Sequence, residues 1–258
     1  MIEAKNIDYA YQNSNVLKNV NLVADRGELT CLLGANGSGK TTILKLMNGI
    51  LKQDRGEIVI DGKDLSELKR KEIARLVSMV PQEHRAVFSY DSRDVVAMGV
   101  TPYLQRGRQP EPEVYSKAEK LMDKLNIGHL AYRSYNNLSG GERQLVLIGR
   151  ALMQDTDYLL MDEPTSHLDF KNQHLILWKL RELARAGRGV VTALHDPNLA
   201  LKFCDKVILI REGKVLAQGP VSEIMTDQNL GLAYDIEIQV DRAKRGVEIA
   251  WEKNSLSG

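Results

Sequence analysis

Cysteine is scarce in this chain, and long hydrophobic runs are missing. The 258 residues include two cysteines, Cys31 and Cys204, far apart in sequence and each inside an apolar segment. That usage reads as reduced, buried thiols in a cytosolic protein rather than as a secreted disulfide scaffold. No apolar stretch approaches the roughly 18 residues needed to span a bilayer. Residues 1–5 carry no apolar core of a secretion signal. If the protein works at a membrane, another chain is expected to supply the spanning part. Charge of one sign is missing too: 35 basic residues meet 34 acidic ones, for a net charge of +1. Nothing in that balance argues for nucleic acid or an anionic lipid surface as a partner. The basic triplet Lys69, Arg70 and Lys71 reads as a solvated helix face. His84, His129, His167 and His174 show no metal-ligand spacing, and there is no internal repeat or low-complexity tract.

What is present centres on residues 34–42, GANGSGKTT. Gly34, Gly39, Lys40 and Thr41 fit G-x-x-x-x-G-K-[ST], with Asn36, Gly37 and Ser38 inside the loop and Thr42 just after it. An apolar run at 29–33 precedes it, and apolar positions 43, 44, 46, 47, 50 and 51 follow at helical spacing. Strand, glycine loop, helix is the context the motif requires. Glycines let the backbone turn tightly and approach a ligand closely. Consecutive N–H groups and the positive end of a new helix then form a phosphate nest. Lys40 is expected to meet β- and γ-phosphates, and Thr41 to offer its hydroxyl to Mg²⁺.

The rest of the chain reads as strands and helices in alternation. Residues 2–33 look strand-rich, with Ile7, Tyr9 and Tyr11 alternating and Val16, Lys18, Val20 and Leu22 alternating after them. With the strand at 57–60 they suggest a small, partly antiparallel sheet beside a nucleotide core. Residues 64–76 look helical, and 77–80 is a short strand stopped by Pro81 and Gln82. Helical patterns at 92–99, 113–127 and 142–153, broken by a polar loop at 105–112, read as a helical insertion spanning 83–153. Strand-like runs return at 158–161, 189–194 and 206–210, with helices at 170–186 and 197–203 between them. Such alternation argues a parallel sheet. Gly213 and Gly219 flank a last short strand, and residues 231–258 read as a tail with β-like alternation at 236–240 and again at Val247, Ile249 and Trp251.

Two further stretches carry chemistry. The strand at 159–161 runs into Asp162 and Glu163, and ligands gather at the C-terminal ends of parallel strands. Asp162 is thus placed to meet a metal held by Thr41, and Glu163 to act on water. Residues 137–144, NLSGGERQ, head a helix. Ser139 and Glu142 are spaced as a capping box, which needs no ligand. The adjacent Gly140 and Gly141 are not explained by a cap, and they open the helix N-terminus to an anion.

This order of motifs resembles the ATP-binding subunit of an ABC transporter, over residues 1–230, most specifically at LSGGE in 138–142. The usual fifth residue of that signature is Gln, and Glu142 is a variant. The resemblance implies an α/β fold: a P-loop NTPase (RecA-like) core with a small antiparallel β subdomain and an inserted helical subdomain. The core would occupy 1–82 and 154–230, the helical subdomain 83–153 and a tail 231–258. ATP and Mg²⁺ are the implied cofactors. Tyr11 matches the aromatic that stacks on adenine, and Gln82 the glutamine that contacts Mg²⁺ and senses the membrane partner. Ser139 and Gly141 match signature residues that reach the γ-phosphate of the opposite subunit. Glu163 matches the catalytic base, residues 166–169 the loop linking two sites of a dimer, and His195 the switch histidine. Singly, Tyr11 reads as a strand aromatic, Gln82 as a turn residue and His195 as a strand-end histidine; the ordered set carries the resemblance. Residues 94–103 and 164–169 resemble subunits serving iron-siderophore, haem and cobalamin importers. The implied partners are a second copy, transmembrane permease subunits and, indirectly, an external substrate-binding protein, with no nucleic acid. The implied location is the cytoplasmic face of the membrane. A soluble ABC ATPase of iron–sulphur cofactor assembly would share these motifs, as would a DNA-repair or translation ATPase. No coiled-coil insertion, second cassette or basic bias supports the latter.

Overall fold

The computed structural model describes residues 1–12, 14–82, 90–105, 108–166, 168–241 and 246–249. His84, His167 and Trp251, named above, lie outside the described residues.

The chain opens with a long hairpin, β1 (Ile2–Tyr11) and β2 (Ser14–Ala24), before the fully buried β3 (Leu29–Leu33). The glycine loop follows and α1 (Lys40–Met47) leaves it. Next come β4 (Arg55–Ile60), β5 (Lys63–Asp64), α2 (Arg70–Leu76) and β6 (Val77–Val80). The middle of the chain is helical, with α3 (Ser92–Ala97), α4 (Pro112–Lys124) and α5 (Gly140–Met153). Then β7 (Tyr158–Asp162), α6 (Phe170–Arg185), β8 (Gly189–Leu194), α7 (Pro197–Phe203) and β9 (Lys206–Arg211) alternate. The described chain closes with β10 (Lys214–Pro220), α8 (Val221–Ile224), α9 (Asp227–Tyr234), β11 (Ile238–Asp241) and β12 (Gly246–Ile249).

Three sheets result. The central one has the order β10-β9-β3-β8-β7-β6, parallel except for the antiparallel β10 at its edge. A four-stranded antiparallel sheet has the order β2-β1-β4-β5, and β11 and β12 form a hairpin. Strands covered on both faces read as unbroken apolar runs, and β3 shows why. Leu29, Cys31 and Leu33 face a core shared with α6 and α7, while Leu32 faces a second core made with α1 and the antiparallel sheet. Buried side chains of α3, α4 and α5, among them Val96, Met122 and Val146, are continuous with the first core. Cys31 and Cys204 are free thiols, both buried, as the composition suggested.

Several elements differ from the pattern reading. Residues 64–76 are not one helix: Asp64 ends β5 and caps a 3-10 turn at Leu65–Glu67, and the helix starts only at Arg70. Asp64 accepts the Ser66 N–H, so a local side-chain cap outcompetes helix propagation. The helix at 92 ends at Ala97 and tightens into a 3-10 stretch, Met98–Tyr103, with Pro102 inside. The alternation in β2 shifts by one: Leu17 rather than Val16 is buried, and Val20 and Leu22 follow. A bulge causes it, with Asn19 at φ 50° and its N–H donated to Asp8. Within the residues read as a tail from 231 onward, α9 runs through Tyr234 and buries Ala233, and the β-like alternation falls on β11 and β12. The triplet at 69–71 is exposed, though Lys71 donates to the Leu104 carbonyl.

Candidate functional site

The site is built where β3 ends. Gly34 passes so close to β9 that a Cβ there would lie 2.1 Å from the Ile210 carbonyl oxygen, so no other residue fits. Gly39 takes φ 108° as it caps α1, a conformation that disfavours any side chain. Asn36 and Gly37 are exposed at the top of the loop, while Ser38 is buried and its hydroxyl has no hydrogen-bond partner. The first N–H groups of a helix have no intrahelical acceptor, and those of α1 open here. The result is a cavity of about 380 Å³ lined by Val16, residues 36–42, Gln82 and Glu163.

Lys40 is only 5% exposed, and its ammonium donates to the Gly34 carbonyl at 2.8 Å and the Ala35 carbonyl at 3.0 Å. Burial lowers its pKa, against the pull of Glu163, Cys31 and Asp162. A buried cation whose named partners are two neutral carbonyls is poised for an anion. Thr41 donates its hydroxyl to Asp162 at 3.0 Å. Burial raises the Asp162 pKa and Glu163 adds to it, while the Thr41 bond opposes. Gln82 donates its amide to Glu163 at 2.8 Å. Glu163 itself sits at φ 49°, in the left-handed region, one residue past β7. That turn swings its carboxylate off the strand line toward the loop, a feature that nothing in the local sequence signals.

Whether Mg²⁺ fits can be judged from the donors. Thr41, Asp162 and Gln82 offer oxygen, the preferred ligand of a hard cation. Among the described residues no cluster of three His, Cys, Asp or Glu could cage a metal. Mg²⁺ is usually bound through one or two carboxylates with the rest from phosphate and water, and Asp162 is the one carboxylate among these three donors. The orphaned Ser38 hydroxyl and the carbonyl-bound Lys40 make the same cavity fit a polyphosphate.

The structure thus brings together residues 36–42, Gln82, Asp162 and Glu163. It does not bring the other named residues into the cavity of the same chain. Tyr11 stands at the β1–β2 turn, 42% exposed, edge-on to Tyr9 at 4.9 Å between ring centroids. Ser139 caps α5 as a full capping box, accepting the Glu142 N–H at 3.3 Å while its own N–H donates to Glu142 at 2.8 Å. Gly140 beside it is exposed with open space where a Cβ would go, and Gly141 packs near Leu168 and Asn172. His195 is exposed, one residue past β8, and its carbonyl accepts the Tyr234 hydroxyl at 3.0 Å. Sequence reasoning missed Val16 as a cavity wall and Tyr234 altogether. The bulge at Asn19 hides the first, and the second lies beyond any motif.

Comparison with known proteins places these features. A family model described as ABC transporter matches residues 17–166. The hemin import ATP-binding protein HmuV of Bordetella avium is 37% identical over 247 residues, covering 93% of this chain and 94% of that protein. A probable iron chelatin transport ATP-binding protein of Helicobacter pylori is 33% identical over 258 residues, covering 99% and 98%. Among solved structures, an ABC transporter described as of metal-chelate type, in an inward-facing conformation, superposes with TM-score 0.82 and 31% identity over 96% of this chain and 94% of that one.

Proposed function

The chain belongs to the family of ABC transporter ATP-binding subunits, and from that premise we propose that it powers uptake of a metal chelate, of the haem or iron-chelate kind, through a separate membrane permease on whose cytoplasmic side two copies of it sit. As a member it is an ATPase with an α/β P-loop NTPase fold. Among the described residues no helix is long and apolar enough to cross a membrane, so the permease is a separate chain in this reading. The names of the hemin and iron chelatin relatives, and of the metal-chelate transporter, support the cargo class.

One observation carries the proposal of a paired site. The head of α5, with Ser139 and Gly140 exposed, stands outside the phosphate cavity of its own chain. A helix N-terminus with an open glycine is an anion site without an anion partner in the same subunit. A second copy, turned head to tail, would bring it to the γ-phosphate and complete both sites at once.

Within one site, Lys40 leaves the Gly34 and Ala35 carbonyls for β- and γ-phosphate oxygens, and Tyr11 stacks on adenine. Thr41, Asp162 and Gln82 would hold Mg²⁺, which when bound neutralises charge on the phosphate oxygens. Glu163 accepts a proton from the attacking water, and His195 holds the γ-phosphate. Gln82 joins Glu163 to the face where the permease would dock. The test is affinity purification from membranes, paired with haem and ferric-chelate uptake by cells. The expected result is co-purification with a multi-spanning chain, and loss of uptake in Lys40→Ala. Recovery in the soluble fraction with iron–sulphur assembly proteins, and uptake untouched by Lys40→Ala, would overturn it.

A further inference from the structure

His195 is exposed and lies between a rigid strand, β8, and the short helix α7. Its side chain points usefully only if the backbone around it is held. Two elements from the C-terminal part of the chain hold it. The Tyr234 hydroxyl, at the last turn of α9, donates to the His195 carbonyl at 3.0 Å. Three residues on, the Asn198 side-chain oxygen accepts the Val247 N–H of β12 at 2.7 Å. Asn198 is itself fixed, because its N–H donates to Asp196 at 2.8 Å.

These elements are anchored rather than draped. Leu230 and Ala233 bury α9 in the core. Arg211, at the end of β9, donates to the Leu232 carbonyl and pairs with Asp235 at 3.4 Å. Arg211 directly follows Ile210, whose carbonyl faces Gly34 of the phosphate loop. The hairpin is tied back to α9 by the Val240 N–H, which donates to Asp227 at 2.8 Å. Burial, with help from Cys31 and Asp196, pushes the Tyr234 hydroxyl well above its ordinary pKa, so it is a donor at neutral pH. The C-terminal elements therefore reach both the strand beside the phosphate loop and the segment carrying the histidine. All of this lies beyond residues 17–166, which the family model matches.

We propose that α9 and the β11–β12 hairpin form a clasp that positions His195 for hydrolysis, acting through Tyr234 and Asn198. Neither residue touches the phosphate; both fix the peptide that aims the imidazole. The inference rests on the reading that His195 acts on the γ-phosphate.

The experiment is steady-state ATP hydrolysis by the full chain for Tyr234→Phe and Asn198→Ala, each alone and combined with His195→Ala. Melting temperatures are read alongside. Losing one neutral hydrogen bond corresponds to roughly a 3- to 10-fold fall in kcat. Each single variant is expected to show that fall with KM for ATP within about 2-fold of the parent, because the phosphate cavity is untouched. Once His195 is alanine, neither variant should slow the enzyme further. A kcat unchanged in both variants, or the same fall with His195 already removed, would overturn the clasp, since a plain structural brace acts regardless of the histidine. His195→Ala hydrolysing at the parent rate would overturn the role of His195 and the clasp with it. His195→Ala slow while Tyr234→Phe and Asn198→Ala run at full rate would overturn the clasp alone.

Discussion

Glu163 is held in a conformation that costs a non-glycine residue about 1–2 kcal/mol, at φ 49°. Strain of this kind persists only where the surroundings enforce it. Here β7 fixes one side, and the Ser166 N–H and hydroxyl both bond the Glu163 carbonyl on the other, at 3.1 and 2.8 Å. The twist leaves the carboxylate facing the cavity, where Gln82 bonds it. Glu163→Gln keeps that shape and removes the basicity. It is expected to bind ATP with near-parent affinity and hydrolyse it about 10²–10⁴-fold more slowly. Fluorescent-nucleotide titration and single-turnover hydrolysis check both halves, and parent-rate turnover would contradict the assignment. Lys40, Thr41 and Asp162 were legible because motif spacing and the strand-end rule place them without knowledge of packing. The left-handed Glu163 was not, since glutamate has no special preference for that region and only the tertiary fold imposes it.

Between elements, the antiparallel sheet is pinned to the central one at the end remote from the cavity. Asp61, just after β4, accepts bonds from Arg26 and from the Tyr158 hydroxyl of β7, and pairs with the Met1 amine. Burial pushes the Asp61 pKa up, but the bonds from Arg26, the Met1 amine and Tyr158 outweigh it and hold the carboxyl well below the usual range. Burial, with Asp61 adding, pushes Tyr158 up to about 12. Because the folded pKa of Asp61 lies below its unfolded value near 4, its stabilisation is full above about pH 4. It is lost as pH falls through the folded pKa. Asp61→Asn is therefore expected to lose about 2 kcal/mol near neutral pH. The gap to the parent should begin to narrow below pH 4. Urea melts at pH 7 and pH 3 measure this, and an equal gap at both would contradict it. This junction was not legible, since it joins four residues whose partners are set by the meeting of two sheets. The parallel strands were, because runs buried on both faces look alike wherever they occur. The phase slip in β2 and the helix α9 escaped for the opposite reason: a bulge and a short helix leave only a weak periodicity.

At the scale of the whole molecule, the parallel sheet gathers the phosphate loop, Asp162 and Glu163 at one end, and α5 presents Ser139 and Gly140 elsewhere on the surface. The sequence order of motifs said that these belong to one reaction. The resemblance already implied that Ser139 and Gly141 act across two subunits, and their place outside the phosphate cavity of their own chain supports the proposal that one chain is half of the site. The signature was legible as a glycine pair that a cap does not need; its distance from the cavity was not, because that depends on how the α3–α5 block packs on the sheet. Glu163→Gln should therefore trap a pair of subunits joined through ATP, and Ser139→Arg should block pairing by filling the open helix end. The deciding measurement is sedimentation velocity of the Glu163→Gln chain with and without ATP and Mg²⁺, repeated with Ser139→Arg added. The shared site requires a 28.9 kDa species without nucleotide, twice that mass with ATP, and no ATP-driven change once Ser139 is arginine. A Glu163→Gln chain that stays monomeric at saturating ATP, or a Ser139→Arg double variant that pairs as readily, would contradict it.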